Sequence, residues 1–263
     1  MIIDSSVTLI APIRNVATTL SSGIIHLRGL LAAVFRDVKI ILVESDSTDT
    51  TLSVAQHLVD TEHVSLLTSL GNLAVSHPLR TDRIAIARNE GLYIARSNYK
   101  PDFYIFADLD GINESLTFEG LMSCFRYSGW AGMVANQYQR YYDIWALRHR
   151  IWCPGDCWAD FNVLKALFGE STARWIAVGS RQIHIPATTT PIIIESGFGG
   201  FGIYRAESIL ASQWTGISDR GSEVCEWQSF NRSLKGLLAI NPLMRNTGPE
   251  EHYVHPQFEI YNF

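Results

Sequence analysis

The chain has 263 residues, which is long for one average domain and short for two, although α/β folds often use this length as a single unit. Hydrophobic residues make up 47% and charged residues 18% of the chain, a composition that supplies a large core and excludes a disordered protein. The 21 Lys and Arg against 26 Asp and Glu leave a net charge of -5, which argues against a non-specific nucleic-acid binder.

The sequence offers no signal for export or for crossing a membrane. The first residues lead directly into a strand-like run and lack the basic-then-apolar order of a signal peptide. No stretch of about 18 apolar residues is present, so we expect no transmembrane segment. The four cysteines are too few to stabilise a chain of this length as disulfides, which predicts reduced thiols. We therefore expect a cytoplasmic protein and leave contact with a membrane surface open.

The first 110 residues alternate strand-like and helix-like segments. Predicted strands cover 7–11, 38–43, 64–68 and 102–107, and predicted helices cover 16–35, 48–59 and 83–96. The second strand is continuously apolar, as is typical of a strand buried on both faces of a parallel sheet. This order predicts an α/β fold with right-handed crossovers, in which ligands bind at the carboxyl ends of the strands.

The second half of the sequence is less regular. Predicted strands cover 131–136 and 192–195, and predicted helices cover 159–168 and 223–234. After the strand at 192–195, segment 196–202 holds four glycines, among them Gly199 and Gly200, which indicates close backbone approach or positive φ. With no repeat and no clear linker, the sequence predicts one domain, residues 1–263, with halves 1–112 and 113–263.

Two carboxylates follow the fourth predicted strand. Alternation along the chain places Asp108 and Asp110 on one side, where they could share a hard divalent cation that keeps coordination positions free for phosphate oxygens. The alternative is an ordinary polar turn.

Polar residues also follow the first two strands and lie on the third helix. Glu44 stands where a carboxylate can accept hydrogen bonds from a base edge or a ribose hydroxyl, whereas the neighbouring Ser47 or Thr48 can simply cap a helix. Arg83 and Arg88 can contact a pyrophosphate or a sugar, or can be a solvated helix face.

Together these residues resemble a known family. Pro12, the Glu-Ser-Asp-Ser-Thr-Asp segment at 44–49, Ala87-Arg88-Asn89 and Asp108-Leu109-Asp110 are similar to the nucleotide-sugar half of family-2-like GT-A glycosyltransferases. In that family the second element usually reads Asp-Asp-Gly-Ser-Thr-Asp. The substitution of Glu44, Ser45 and Asp46 makes the chain resemble capsule-associated and Golgi-type α-mannosyltransferases more closely. The resemblance runs from about residue 7 to residue 233.

The resemblance implies a GT-A, Rossmann-like fold with a mostly parallel sheet flanked by helices and an irregular acceptor-side half. It implies a metal-dependent glycosyltransferase that uses Mn²⁺ or Mg²⁺ and moves a sugar from a nucleoside-diphosphate sugar to a hydroxyl of a glycan or lipid-linked glycan. A mannosyltransferase of surface-polysaccharide synthesis is the finer expectation. The implied nucleotide-sugar residues are Ala11, Pro12, Arg14, Glu44, Asp46, Arg83, Arg88, Asn89 and Asp108, and the implied metal ligands are Asp108, Asp110 and His252.

The second half supplies the implied catalytic and acceptor residues. Glu226 lies where such families place an acid near the acceptor, and an inverting enzyme needs a carboxylate there to take the hydroxyl proton. Glu195 is the second candidate, and a plain helix N-terminal carboxylate is the alternative for Glu226. The implied acceptor residues are Trp145, Phe198, Gly199, Gly200 and Trp227. Inversion and retention both stay open.

Two other functions compete with this interpretation. A nucleotidyltransferase that makes nucleotide sugars would need a glycine-rich phosphate loop after the first strand, and segment 11–15 contains no glycine. A non-catalytic carbohydrate-binding protein of the same fold would tolerate loss of Asp108 and Asp110, which are both present.

Overall fold

A computed structural model describes residues 3–256, and in that range one eight-stranded sheet lies between helices. The strands are β1 (Ile3–Ile13), β2 (Phe35–Glu44), β3 (Leu66–Ser69), β4 (Phe103–Ala107), β5 (Trp130–Gln137), β6 (Ile192–Ile194), β7 (Phe201–Arg205) and β8 (Leu237–Asn246). The helices are α1 (Leu20–Val34), α2 (Thr51–Asp60), α3 (Arg80–Asn98), α4 (Phe118–Ser123), α5 (Cys157–Phe168), α6 (Glu170–Ala177) and α7 (Glu226–Arg232).

The first four strands form the parallel part of the sheet that the sequence predicts. β1 pairs in parallel with both β2 and β4, and β2 pairs in parallel with β3. The order β3-β2-β1-β4 means that the chain winds outward from β1 and then returns through α3 to the other side of it. The strand order therefore reverses between β1 and β4, which is where α/β sheets bind ligands.

Both faces of this parallel region are covered. On β1, Val7 and Leu9 pack with α1 on one side, while the intervening Ile10 joins the cluster that includes α3 residues on the other. All three side chains are fully buried. Burial on both faces explains why the strands read as continuous apolar runs instead of alternating ones.

The second half extends the sheet with mixed strand directions. β7 is inserted antiparallel between β4 and β5, β5 runs parallel to β8, and β6 pairs antiparallel with β8. Four of the seven strand pairs are parallel, so the sheet is mostly parallel as predicted.

Several elements of this half escape the sequence patterns. Strands β7 and β8 are not predicted. The glycines at 196–202 lie at the start of β7 and weaken its strand pattern, and β8 contains Pro242, which is rare in a central strand. The register of β8 against β5 shifts beside that proline, between Asn241 and Arg245, which accommodates the missing N–H. The short α4 and α6 are not predicted, and the helix predicted at 223–234 is shorter, Glu226–Arg232.

Within residues 3–256, no helix has both the length and the apolar composition needed to cross a membrane. The four cysteines are free and buried.

The packing of α3 on the sheet makes a testable prediction. A Cβ at Gly91 would lie 2.4 Å from Ile10 Cγ2, whereas a Cβ at Gly29, on α1, meets nothing within 4 Å. We expect Gly91→Ala to lower the free energy of unfolding by about 1–3 kcal/mol through overpacking. Gly29→Ala should raise it by about 0.5–1 kcal/mol, because alanine loses less backbone entropy. Urea unfolding of both variants checks this, and a neutral Gly91→Ala would contradict the close approach.

Candidate active site

A cleft of about 810 Å³ opens where β1, β2 and β4 end. Each of these strands delivers polar residues to it, because the carboxyl ends of parallel strands meet at one edge of the sheet. Twelve of the residues singled out from the sequence line this cleft: Pro12, Arg14, Asp46, Arg83, Arg88, Asp108, Asp110, Trp145, Phe198, Glu226, Trp227 and His252. The two halves of the chain therefore contribute to one site.

Six of the predicted site residues do not line the cleft: Ala11, Glu44, Asn89, Glu195, Gly199 and Gly200. Ala11 is fully buried within β1, and Glu195 is exposed. The Asn89 amide exchanges two hydrogen bonds with the Trp214 backbone, at 2.8 and 3.0 Å, and so ties α3 to the loop before α7.

Glu44 holds the loop that follows β2. Its carboxylate is buried and accepts hydrogen bonds from the Ser47 backbone N–H at 3.0 Å and from Ser69 Oγ at 2.6 Å. Both carboxylate oxygens thus have protein partners, and the cleft side of this loop is formed by Ser45 and Asp46.

Asp46 stands where the resembling family has glycine, and the structure gives a reason. Its φ is +58°, a left-handed conformation that aspartate tolerates better than most residues. Its Oδ1 accepts from the Ala74 N–H at 2.8 Å, and its Oδ2 lies 3.5 Å from Arg83 Nε. Arg14 Nε donates to the Asp46 carbonyl at 3.3 Å. The departure from the family motif therefore keeps the turn and adds a carboxylate beside Arg83.

Gly199 and Gly200 lie behind the cleft, where they bind the Asp143 carboxylate and the Asp108 backbone. The Gly199 N–H donates to Asp143 Oδ2 at 2.9 Å, and the Gly200 carbonyl accepts from the Asp108 N–H at 2.9 Å. Both glycines have positive φ, and a Cβ on Gly199 would lie 2.7 Å from the Ala135 carbonyl oxygen. This turn therefore needs glycine at both positions.

Arg88 is the central cation of the site. It is buried on α3, pairs with the Glu226 carboxylate, and places Nη2 3.4 Å from Asp108 Oδ1. Its guanidinium lies 4.5 Å from the Trp227 ring centroid and 5.1 Å from that of Phe198. Those two rings stack 4.0 Å apart and are themselves buried, so they hold the guanidinium more than they offer a free sugar platform.

The carboxylates around Arg88 outnumber it. Burial raises the pKa of Asp108 to about 7; Arg88 opposes this shift, and the charges of Asp110, Asp143 and Glu226 reinforce it. The pKa of Asp143 is also raised, first by burial. The buried guanidinium thus faces two carboxylates, Asp108 and Glu226, and two more act on Asp108, an arrangement that favours a further cation or protons.

A divalent cation fits this charge, provided that a ligand completes its coordination. Asp110 lies at the mouth of the cleft and is partly exposed to solvent. Partial desolvation raises the pKa of its carboxyl, and the charge of the nearby His252 opposes part of this rise. The His252 ring lies 5.5 Å from that of Tyr142. In the described range 3–256, no three His, Cys, Asp or Glu side chains are gathered as a metal site. A cation here would therefore need oxygen atoms from a bound substrate, as Mg²⁺ commonly does with phosphates.

Three residues on the far side of the cleft were not assigned to the site from the sequence: Asp143, Trp158 and Arg174. Asp143 lies in the irregular segment after β5, where no periodicity marks a buried acid. Trp158 follows Asp156, whose carboxylate accepts from Trp145 Nε1 at 3.1 Å and so braces the half-buried Trp145 ring. Arg174 is exposed on the unpredicted α6, with its guanidinium 5.6 Å from the Trp158 ring centroid.

Comparison with known proteins identifies the fold. No protein-family model matches the sequence, and no curated protein matches it. Among solved structures, the mannosyltransferase PcManGT from Pyrobaculum calidifontis, in complex with GDP-Man and Mn²⁺, matches with a TM-score of 0.51 and 14% identity, over 95% of this chain and 59% of its own.

Two other structures are more distant. TarS 1-349 of S. aureus with UDP-GlcNAc has a TM-score of 0.49 at 14% identity, over 93% of this chain and 59% of its own. Glucosyl-3-phosphoglycerate synthase from Mycobacterium tuberculosis, with Mn²⁺, UDP and phosphoglyceric acid, has a TM-score of 0.42 at 14% identity, over 81% of this chain and 59% of its own. The chain thus spans about 59% of the length of these proteins. The prediction of a GT-A fold is confirmed, and at this identity the likeness concerns the fold alone.

The buried charge cluster predicts how Arg88 contributes to stability. Arg88→Met should lower the free energy of unfolding by about 3–5 kcal/mol, because it leaves Glu226 as an uncompensated buried charge. The double variant Arg88→Met/Glu226→Leu should recover a large part of that loss, since no unpaired charge remains at that pair. Urea unfolding in the presence of a chelator measures both. Losses that simply add in the double variant would contradict the pairing.

Proposed function

We propose that this chain is a metal-dependent glycosyltransferase that moves a sugar from a nucleoside-diphosphate sugar to a hydroxyl of a glycan or lipid-linked glycan. The observation that carries the proposal is a buried guanidinium, Arg88, that faces the carboxylates of Asp108 and Glu226, with the charges of Asp110 and Asp143 acting on Asp108, in a cleft where the strand order of the sheet reverses. A diphosphate neutralised by a divalent cation suits such a site: the carboxylates take the cation and the arginines take phosphate oxygens.

In this proposal the first half of the chain holds the donor, and His252 from the second half joins it at the cation. Asp110 and His252, with Asp108, hold the divalent cation, which when bound offsets the charge that develops on the leaving diphosphate. Arg14 and Arg83, beside Asp46, lie on the nucleoside side of the cleft. Glu44 acts indirectly, because its hydrogen bonds to Ser47 and Ser69 hold the loop that carries Asp46.

The second half holds the acceptor and the reacting centre. Arg88 keeps the buried Glu226 carboxylate in place next to Asp108. In an inverting reaction Glu226 takes the proton of the acceptor hydroxyl, and in a retaining one it holds a sugar hydroxyl. Trp145 and Trp158 offer half-buried rings to an acceptor sugar. The finer proposal, mannosyl transfer in surface-polysaccharide synthesis, rests on the resemblance of segment 44–49, together with segments 141–148, 199–205 and 225–227.

The metal role is tested with a panel of nucleotide sugars. Release of nucleoside diphosphate from at least one of GDP-mannose, UDP-glucose and UDP-GlcNAc should require Mn²⁺ or Mg²⁺ and stop with chelator. Asp110→Asn should lower that rate by about 10²–10³-fold, because it removes charge stabilisation worth several kcal/mol. Asp219→Asn is the matched control, since Asp219 is an exposed acid outside the cleft. Full activity in chelator, or equal losses in the two variants, would contradict the metal role.

The role of Glu226 is tested by Glu226→Gln, which keeps the side-chain shape and removes its basicity. If Glu226 is the base, turnover should fall by about 10²–10⁴-fold while donor affinity changes little. A role in sugar positioning should instead change the apparent substrate affinity with a milder loss of turnover. Product configuration by NMR on the wild type separates inversion from retention. Unchanged turnover and affinity would remove Glu226 from the reaction.

A further inference from the structure

One wall of the cleft combines two aromatic rings with a guanidinium. Trp145 and Trp158 line the cleft with half-buried side chains, and the Asp156 carboxylate joins them. It accepts hydrogen bonds from Trp145 Nε1 at 3.1 Å and from the Trp158 backbone N–H at 2.8 Å. Arg174, on α6, also lines the cleft, with its guanidinium 5.6 Å from the Trp158 ring centroid. We call Trp145, Trp158 and Arg174 the tryptophan–arginine wall.

The positive charge of Arg174 is not balanced by its surroundings. The side chain is exposed, and no carboxylate of residues 3–256 lies within ion-pair distance of it. The three acids of segment 156–177 each pair with a different cation: Asp156 with Arg148 at 3.1 Å, Asp160 with Arg181 at 2.6 Å and Glu170 with Lys165 at 2.8 Å. An exposed arginine is ordinarily just solvated, but this one lies in the wall of a cleft of substrate size.

The chemistry of this wall matches one kind of ligand. A contact with an aromatic ring does not use up the N–H donors of a guanidinium, which lie in its plane as a fork that fits a carboxylate or a phosphate. Indole rings pack against the apolar faces of sugars. The tryptophan–arginine wall therefore suits a sugar that carries a negative charge.

The charges elsewhere in the cleft favour the same position for that negative group. Asp108 and Glu226 already face Arg88, so a further negative charge beside them is repelled. The other cleft arginines, Arg14 and Arg83, come from the first half of the chain with Asp46. An anionic group that enters from the second half is attracted to Arg174 and kept away from Glu226.

We propose that the acceptor is an anionic glycan, in which a sugar near the reacting hydroxyl carries a carboxylate or a phosphate that binds Arg174. Trp145 and Trp158 pack against that sugar, and its charge orients the acceptor with the reacting hydroxyl toward Glu226. Arg174 is then a specificity-determining residue. The inference rests on the proposed function, because it takes this side of the cleft as the acceptor site.

The test is a ligand-observed NMR titration of the full chain with methyl α-glucuronide, glucose 6-phosphate and the neutral methyl α-glucoside. At least one anionic sugar should bind about tenfold more tightly than the neutral one, through charge-assisted hydrogen bonds, and the tighter of the two distinguishes carboxylate from phosphate. High salt should reduce this preference. Arg174→Gln should abolish it, and Arg174→Lys should keep part of it, because lysine retains the charge without the planar fork.

Arg126→Gln is the matched control. Arg126 is exposed between α4 and β5 and does not line the cleft, so this variant should keep the wild-type preference. Thermal melts should match the wild type, and if Arg174→Gln melts lower, the reduced preference of Arg174→Lys decides. A second titration contains Mn²⁺ and saturating GDP or UDP, and the anionic sugar should still bind.

Three results would overturn the inference: equal binding of neutral and anionic sugars, an unchanged preference in Arg174→Gln, or displacement of the anionic sugar by nucleotide, which would place it among the donor-side arginines. Failure of the proposed function is distinguishable. It would appear as a wild type that binds neither nucleotide and releases no nucleoside diphosphate from any donor, whereas the titrations without nucleotide would still report on Arg174.

Discussion

The ion pair between Arg88 and Glu226 is the interaction on which the cleft depends. It joins α3, in the first half of the chain, to the first residue of α7 in the second half, and it does so inside the protein where neither charge could remain unpaired. The stacked rings of Phe198 and Trp227 fix the guanidinium from the second half as well. Because Arg88 also lies against Asp108, the position of the strand-end carboxylate depends on both halves.

The same ion pair leaves negative charge in the cleft that Arg88 does not compensate. Burial, reinforced by the charges of Asp110, Asp143 and Glu226, raises the pKa of Asp108 to about 7, because the Arg88 guanidinium offsets only part of these effects. The glycine turn at 199–200 adds to this constraint, because its backbone binds the Asp143 carboxylate and the Asp108 backbone N–H and so places the two residues on one side of the cleft. A site built in this way gains most from a ligand that brings positive charge inward, and a cation carried with a diphosphate does so.

The first half of the fold and much of the cleft could be predicted from the sequence, because the signals there are local. Apolar runs gave β1, β2 and β4, and parallel topology requires their carboxyl ends to meet, so Pro12, Asp46 and Asp108 converge. Asp143 and Arg174 could not be found this way, since their places depend on long-range contacts of an irregular segment and a short helix. For Glu44 the local pattern was not sufficient. Its position in the motif indicated a ligand contact, whereas its buried carboxylate accepts hydrogen bonds from Ser47 and Ser69.

The central claim is that the carboxylate cluster binds a divalent cation and a nucleoside diphosphate cooperatively. The most direct measurement is the affinity for Mn²⁺, followed by electron paramagnetic resonance of the free ion, without nucleotide and with saturating GDP or UDP. Because residues 3–256 gather too few protein ligands for a complete site, the account predicts weak binding of Mn²⁺ alone and binding at least about tenfold tighter with one of the nucleotides, a coupling of about 1.4 kcal/mol or more. Equal Mn²⁺ affinity with and without either nucleotide would contradict it.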